Sequence, residues 1–542
     1  MLTLTRSSYA AARCSTLALA RPLRQNSNAL RTAAAATATS TMSPGFVAPP
    51  NGASYSTKRD PSYRVLRKER MNKNVLEAQY AVRGAIPLRA EELRDQIEEN
   101  GENHGLPFDK VVNCNIGNPQ QLDQKPLTFL RQVSALCDYP DLLDLPVTPS
   151  IFPSDAIARA RSLIGEIGST GAYSHSMGHP MIRKRVAKFI EERDGHAADP
   201  NSIYLTAGAS TGVSNLLQVL IAKPTDGVLI PIPQYPLYTA ALALNAARAV
   251  PYYLAEDADW GLDVADLKKN LAKAREEGTE VKAMVVINPG NPTGNCLTRE
   301  NMEDIIRLCY EEGLVLMADE VYQSNVYAEA QPFVSFKKAV RDLGGPYADN
   351  VELVSFHSIS KGQSGECGRR GGYFELTNFH PEAEEQIYKL ASIQLCPSLQ
   401  GQIGVEVLVN PPKEGDESYP QWQAEVGGIS ETLKQRSQVL VQAFRELEGI
   451  TCNDANGAMY LFPTIQLPPK AIEAAEAKGM APDAFYALEL LEATGICVVP
   501  GSGFGQQPGT YHVRTTFLAP GVEDYITRFK KFHVAFLDKY RQ

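Results

Sequence analysis

Paired cysteines are missing from this sequence. Its nine cysteines, at positions 14, 114, 137, 296, 309, 367, 396, 452 and 497, are scattered and odd in number. No Cys-x-x-Cys pair and no ligand-like Cys/His spacing occurs. That argues against a disulfide scaffold or a metal centre and for reduced thiols in a reducing compartment. Long apolar runs are scarce as well. The one uncharged stretch worth testing as a membrane span, 227–247, is interrupted by Pro231, Pro233, Gln234, Pro236 and Asn245. It reads as a buried strand, a turn and a helix start, so no membrane partner is expected. Excess positive charge is absent too: 53 Lys and Arg stand against 62 Asp and Glu, a net charge of −9. No basic field favours nucleic acid, and the short basic stretch 183–188 reads as a solvated helix face. There is no Gly-x-x-x-x-Gly-Lys-Ser/Thr loop, which argues against a nucleoside triphosphate. Gly501-Ser502-Gly503-Phe504-Gly505 lacks the strand-to-helix setting of a dinucleotide site and reads as a turn.

The last absence is local. Residues 1–59 hold no Asp or Glu, while Arg6, Arg13, Arg21, Arg24 and Arg31 are spread among Ser, Ala, Thr and Leu. Such a leader fits a mitochondrial transit peptide better than a secretory signal, whose apolar core arginines would break. Residues 1–58 are therefore expected to be a cleaved leader for the mitochondrial matrix. Met42 offers an internal start for a cytosolic form.

What is present is ordinary globular composition, 44% hydrophobic and 21% charged over 542 residues, enough chain for a large core. From about 60 to 100 the pattern is charged and helical, with a break at Gly84 and Pro87. From 150 to 400, apolar runs alternate with amphipathic stretches. Candidate strands are 202–206, 228–231, 282–287, 315–318 and 353–357. Residues 299–311 carry Met302, Ile305, Ile306 and Cys309 at helical spacing. This alternation predicts an α/β fold with a mainly parallel sheet covered by helices, whose ligands sit at the carboxyl ends of the strands. Residues 411–420 read as a boundary loop, and the last 120 or so as a smaller α+β unit.

Polar residues that need a reason collect at those strand ends. Ser358-Ile359-Ser360-Lys361-Gly362 follows one strand. Ten residues on, Gly368-Arg369-Arg370-Gly371-Gly372 puts arginine among glycines, a setting suited to a phosphate. Asn288-Pro289-Gly290-Asn291-Pro292-Thr293-Gly294 follows another strand. Asp319 and Tyr322 follow the apolar run 314–317, where a buried acid is costly unless paired or functional.

The order Asn-Pro-x-Gly, Asp-x-x-Tyr, Ser-x-Ser-Lys, Arg-Gly-Gly resembles the class I/II aminotransferases, fold-type I pyridoxal-phosphate enzymes. The likeness runs from about 75 to 540 and is greatest to the alanine-using branch. It is carried by YAVRGAIP (80–87), PLTFLRQVSALC (126–137), GVLIPIPQYPLY (227–238), VINPGNPTG (286–294), MADEVY (317–322), 355–372 and TGICVVPGSGFG (494–505). The resemblance implies a seven-stranded, mainly parallel sheet in a large domain of residues 146–405. It also implies an arm and part of a small domain at 59–145, and a C-terminal small domain at 406–542.

It further implies roles. Lys361 would carry pyridoxal phosphate covalently and, once released, move the proton at the substrate Cα. Asp319 would pair with the ring nitrogen, Asn291 and Tyr322 would bond the ring oxygen, and Tyr235 would stack on the ring. Ala209 and Ser210, at a helix start, would bind the phosphate together with Ser358 and Arg370. Family members usually carry an aromatic residue before Arg-Gly-Gly; Arg369 departs from that. Tyr173 would reach the phosphate of a partner subunit, which implies a homodimer. Arg514 would bind the substrate carboxylate, with the segment at Gly84 lying over the substrate and Arg83 near a second carboxylate. The implied reaction is amino transfer between L-alanine and 2-oxoglutarate, with glutamate:glyoxylate transfer as the alternative and a non-catalytic cofactor-binding relative behind both.

Overall fold

A computed structural model describes residues 66–79, 84–329 and 331–541. The leader, Met42 and Arg83 lie outside the described residues.

The first long helix, α1 (Ala85–Asn100), starts where the sequence suggests a break. Gly84 is its N-cap and Pro87 falls in its first turn, where a missing N–H disturbs nothing. A seven-stranded sheet follows. Its first strand is β1 (Ile203–Thr206), leading into α2 (Ala209–Leu220). Next come β2 (Asp226–Ile232), α3 (Leu237–Leu244), β3 (Arg248–Tyr253) and α4 (Val264–Glu276). Then come β4 (Glu280–Ile287), α5 (Arg299–Glu312), β5 (Val315–Asp319), β6 (Leu353–Ser358) and β7 (Gly372–Thr377). The spatial order is β1-β7-β6-β5-β4-β2-β3. All neighbours pair parallel except those of β7, which runs antiparallel to both β1 and β6.

The central strands are apolar on both faces because both are covered. Alternation divides them. Met284, Val286, Leu316 and Ala318 pack with α4 and α5, while Ala283, Val285, Val315 and Met317 pack with α2 and α3. The same parity sends Asp319 toward α3 and its neighbour Glu320 the other way. α5 shows why such helices form where they do: Thr298 caps its start through the N–H of Asn301, and Gly313, at φ 65°, ends it.

After the sheet, α6 (Pro381–Ile393) covers the α2 side and α7 (Leu399–Val409) follows. The long α8 (Tyr419–Arg445) begins inside the stretch expected as a loop, with Pro420 in its first turn. A second core gathers α1, the second half of α8, α9 (Pro482–Thr494) and α10 (Val522–Arg541). Three short strands, β8 (Tyr460–Leu461), β9 (Val499–Pro500) and β10 (Val513–Thr516), form a small antiparallel sheet in the order β8-β10-β9. Among the described residues no helix is long and apolar enough to cross a membrane, no group of three or more His, Cys, Asp or Glu could hold a metal, and eight cysteines are free thiols.

Two sequence expectations need correction. The stretch 183–188 is not simply a solvated face: Arg183 is buried, and its Nη1 donates to the carbonyl of Pro200 at 2.7 Å. The strand set was incomplete, since β3 and β7 were not among the candidates.

Glu320 gives a stability prediction. Its Oε1 accepts the N–H of Phe336 at 2.7 Å in a fully buried setting, and burial pushes its carboxyl from the ordinary 4.5 up to about 8. The folded protein thus holds a proton that the unfolded chain releases, so stability falls as pH rises from about 4.5 to 8. Glu320→Gln keeps the acceptor oxygen and removes the titration. Melting curves at a series of pH values should show the variant more stable than wild type near pH 8, with the two converging toward acid pH.

Candidate active site

The carboxyl ends of β1, β2, β4, β5 and β6 share one edge of the sheet, and antiparallel β7 begins there. Thr206 and Ser358 both pair with Gly372. That register brings three distant stretches together: the start of α2, the end of β6, and Arg370 two residues before β7. The approach is close enough to require glycine. A Cβ on Gly372 would stand 2.8 Å from the carbonyl of His357 and 3.0 Å from the nitrogen of Ala209.

At this corner Arg370 lies over the first turn of α2. Its Nη2 donates to the carbonyl of Ala207 at 2.9 Å and to Ser210 Oγ at 3.4 Å, and its Nη1 to the carbonyl of Cys367 at 3.2 Å. Gly208, at φ 85°, is the N-cap of α2, and no side chain caps that start. The backbone N–H groups of the first turn therefore face Arg370, Ser210 and Ser358 around an anion-sized corner. Arg369 turns elsewhere. Its Nε bonds Glu366 at 3.1 Å, and Glu366 also holds Arg131 at 3.1 and 3.0 Å. The pairing gives this departure from the family pattern a structural partner.

Asp319 lies deeper. Tyr238 donates its hydroxyl to Asp319 Oδ2 at 2.8 Å, and the N–H of Val321 approaches Oδ1 at 3.4 Å. Burial raises the Asp319 carboxyl, while Tyr238, Val321 and Lys361 oppose the rise. Tyr238 escaped the sequence reading. Its signal was spacing, one helical turn after Tyr235 in Tyr235-Pro236-Leu237-Tyr238. Removing its hydroxyl with Tyr238→Phe takes away a bond to the charged carboxylate. The carboxyl should then titrate at still higher pH, and kcat/KM for amino transfer should fall about tenfold in steady-state assays.

Beside Asp319, the amide of Asn291 donates to the hydroxyl of Tyr322 at 3.3 Å. Asn291 Oδ1 accepts from Arg514 Nη1 at 3.1 Å, and Arg514 Nη2 bonds the carbonyl of Asn115. The Arg514 guanidinium is sandwiched between rings, 4.2 Å from the centroid of Tyr460 and 4.6 Å from that of Phe504. It is 1% exposed. Lys361 extends from the turn after β6, and its Nζ donates to the carbonyl of Gly117 at 2.7 Å.

These groups line one cleft of about 440 Å³. It gathers Ala209, Ser210, Tyr235, Asn291, Asp319, Tyr322, Ser358, Lys361, Arg370 and Arg514, that is, ten of the residues picked from the sequence. Gly117, Asn118, Cys367 and Tyr460 join them unannounced. Two of the sequence candidates lie elsewhere. Tyr173 is 81% exposed and does not line the cleft of its own chain. Gly84, at the N-cap of α1, is also outside the lining.

The charge balance of the cleft is its clearest chemical statement. Lys361, Arg370 and Arg514 face a single carboxylate, Asp319. The hydrogen bonds of the three cations go to carbonyls, an amide and a hydroxyl. A cleft built this way is suited to ligands carrying two anionic groups, one at the α2 corner and one at Arg514. That donor set fits pyridoxal phosphate: Arg370, Ser210 and Ser358 would hold its phosphate, Asp319 its ring nitrogen and Lys361 its aldehyde.

Comparisons with known proteins bear on the family of the chain. The family profile for aminotransferase class I and II matches residues 140–530. An alanine aminotransferase 2 of Panicum miliaceum is 54% identical over 87% of this chain and 98% of its own length. A glutamate–glyoxylate aminotransferase 2 of Arabidopsis thaliana is 50% identical over 88% of this chain and 98% of its own. Among solved structures, an alanine aminotransferase from Pyrococcus furiosus superposes with a TM-score of 0.67 at 25% identity, covering 86% of this chain and all of that one. The chain belongs to the class I and II aminotransferase family.

Proposed function

We propose that this protein moves the α-amino group of L-alanine to 2-oxoglutarate, giving pyruvate and L-glutamate in two half-reactions that share one site. The observation that carries the reading is the cleft's excess of cations: Arg370 waits at one end for a phosphate, Arg514 at the other for a carboxylate, and the Lys361 amine stands between. The 54% identity to an alanine aminotransferase supports alanine as the donor.

When bound, pyridoxal phosphate supplies an electron sink for the bonds at the substrate Cα. The protein supplies the rest. Arg370, Ser358, Ser210 and the α2 N-terminus anchor the phosphate, and Arg369 is left to Glu366. Asp319, fixed by Tyr238, keeps the ring nitrogen protonated. Asn291 and Tyr322 take the ring oxygen, and Tyr235 covers the ring. Arg514 grips the α-carboxylate that every substrate of both half-reactions carries. That grip would leave the bond to be broken at Cα within reach of the Lys361 amine, which would take up the Cα proton and hand it on.

A homodimer is part of the proposal. The Ser174 N–H bonds the thiol of Cys396, tying the segment that carries the exposed Tyr173 to the one that carries the exposed Leu395. Sedimentation should return twice the mass of one chain. The acid-free, arginine-bearing leader supports import into mitochondria.

Glutamate:glyoxylate transfer is the second reading, favoured by the 50% identical relative. Initial rates with the three productive pairings, alanine:2-oxoglutarate, alanine:glyoxylate and glutamate:glyoxylate, decide between them. Fast alanine:2-oxoglutarate transfer with slow glutamate:glyoxylate transfer supports the proposal, and the reverse order replaces it.

A further inference from the structure

Tyr460 is buried at 2% exposure and was not picked out by any motif, yet three functional groups of the cleft meet on it. Its hydroxyl accepts from Tyr322 at 3.3 Å. Its ring carries the Arg514 guanidinium 4.2 Å above the centroid. The pairing of β8 with β10 explains that stack. Tyr460 lies opposite Thr516, so Tyr460 and Arg514 are diagonal neighbours on one face. The third contact runs through Gly117. A Cβ placed there would stand 1.9 Å from the Tyr460 hydroxyl and 3.2 Å from Lys361 Nζ. Hydroxyl and amine thus converge over one glycine, whose carbonyl also accepts the amine's hydrogen bond.

We propose that Tyr460 is a positioning residue for amino transfer: its hydroxyl sets the place and proton load of Lys361 Nζ, and its ring holds Arg514 in the plane that receives the substrate carboxylate. The inference rests on the transaminase reading given above. Electrostatics point the same way. Burial opposes ionisation of the Tyr460 hydroxyl, but Lys361 and Arg514 beside it outweigh burial and hold it below the ordinary tyrosine value. Burial alone would push Lys361 down; Tyr460, followed by Cys367 and Tyr235, holds it up against the repulsion of Arg514. The remaining groups facing this amine are Asp319 and Tyr322, whose ring centroid is 5.9 Å away. Of all of them, only Tyr460 also carries Arg514 on its ring face.

Two substitutions separate the two halves of the role. Tyr460→Phe keeps the ring and removes the hydroxyl; Tyr460→Leu removes both. The cofactor-loaded proteins are titrated for visible absorbance against pH without substrate, then assayed with L-alanine across the same range. Tyr460→Phe should hold KM within about twofold and lower kcat about tenfold. It should also move both the absorbance midpoint and the acid limb of kcat to lower pH by about half a unit or more, because the group favouring the Nζ proton is gone. Tyr460→Leu should add a rise in KM of about tenfold. Gly117→Ala leaves residue 460 a tyrosine but puts a methyl 1.9 Å from its hydroxyl, which must move aside, and should shift the midpoint in the same direction. A wild-type midpoint in Tyr460→Phe, or identical KM values in the Phe and Leu variants, would overturn the inference and leave the transaminase reading standing. Wild-type protein that no amino acid converts would overturn both.

Discussion

Lys361→Ala should lower turnover by about 10⁴-fold or more while the protein still folds. The size of the effect follows from the double duty of one amine. It must hold the cofactor, and it must then carry a proton at Cα that no other group in the cleft is placed to carry. Asp319 is turned to Tyr238 on the ring-nitrogen side. The hydroxyls of Tyr322 and Tyr460 bond each other at 3.3 Å. Folding should survive because, among the described residues, Lys361 Nζ bonds a backbone carbonyl, and because removing one of three neighbouring cations relieves repulsion in the cleft. Single-turnover kinetics with L-alanine check the rate, and the melting curve checks the fold. A variant turning over within tenfold of wild type would remove Lys361 from the chemistry.

The second large effect is expected at Arg514. A buried guanidinium with no carboxylate partner among the described residues, held between two rings and bonded to Asn291 and Asn115, is pre-set for a planar anion. Arg514→Lys keeps the charge and loses the fork, so it isolates geometry from charge. Losing a buried, bidentate contact costs about 4 kcal/mol, so kcat/KM should drop about 10³-fold. The loss should appear equally for alanine and for 2-oxoglutarate, since both present an α-carboxylate to the same group. A loss confined to one of the two would mean that their carboxylates bind at different places.

Much of this was legible before any coordinates. Five strands were read from apolar runs, since strands covered on both faces need no alternation to be seen. The two that escaped are informative. β3, at the sheet edge, mixes exposed Arg248 and Ala249 with Pro251 and looks like a linker. β7 follows a glycine-rich loop and carries Glu375, which pairs with buried Lys337 on the helix Phe336–Leu343. β7 is also the strand that assembles the phosphate corner. The sequence could list Ala209, Ser358 and Arg370, but only the Thr206, Ser358 and Gly372 register shows why they meet.

The same limit hid Tyr238 and Tyr460. Each is a tyrosine in an apolar stretch, and residue type alone does not tell a core aromatic from one aimed at a carboxylate or an amine. Parity does: once Asp319 is known to end β5 with Val315 and Met317 facing α3, Tyr238 on α3 is the residue it must meet. Arg369 shows the converse. Sequence register alone chose Arg370 for the phosphate, and the structure adds the acid, Glu366, that occupies Arg369.

The central claim is that one cleft holds pyridoxal phosphate and takes an amino group from alanine. The most direct test is the absorption spectrum of purified protein, supplied with pyridoxal phosphate, before and after L-alanine is added without any oxo acid. The account predicts loss of the visible band, growth of a near-ultraviolet band, and release of one pyruvate per site. A protein that shows no visible band with added cofactor, or whose band ignores alanine and responds to glutamate alone, would contradict it.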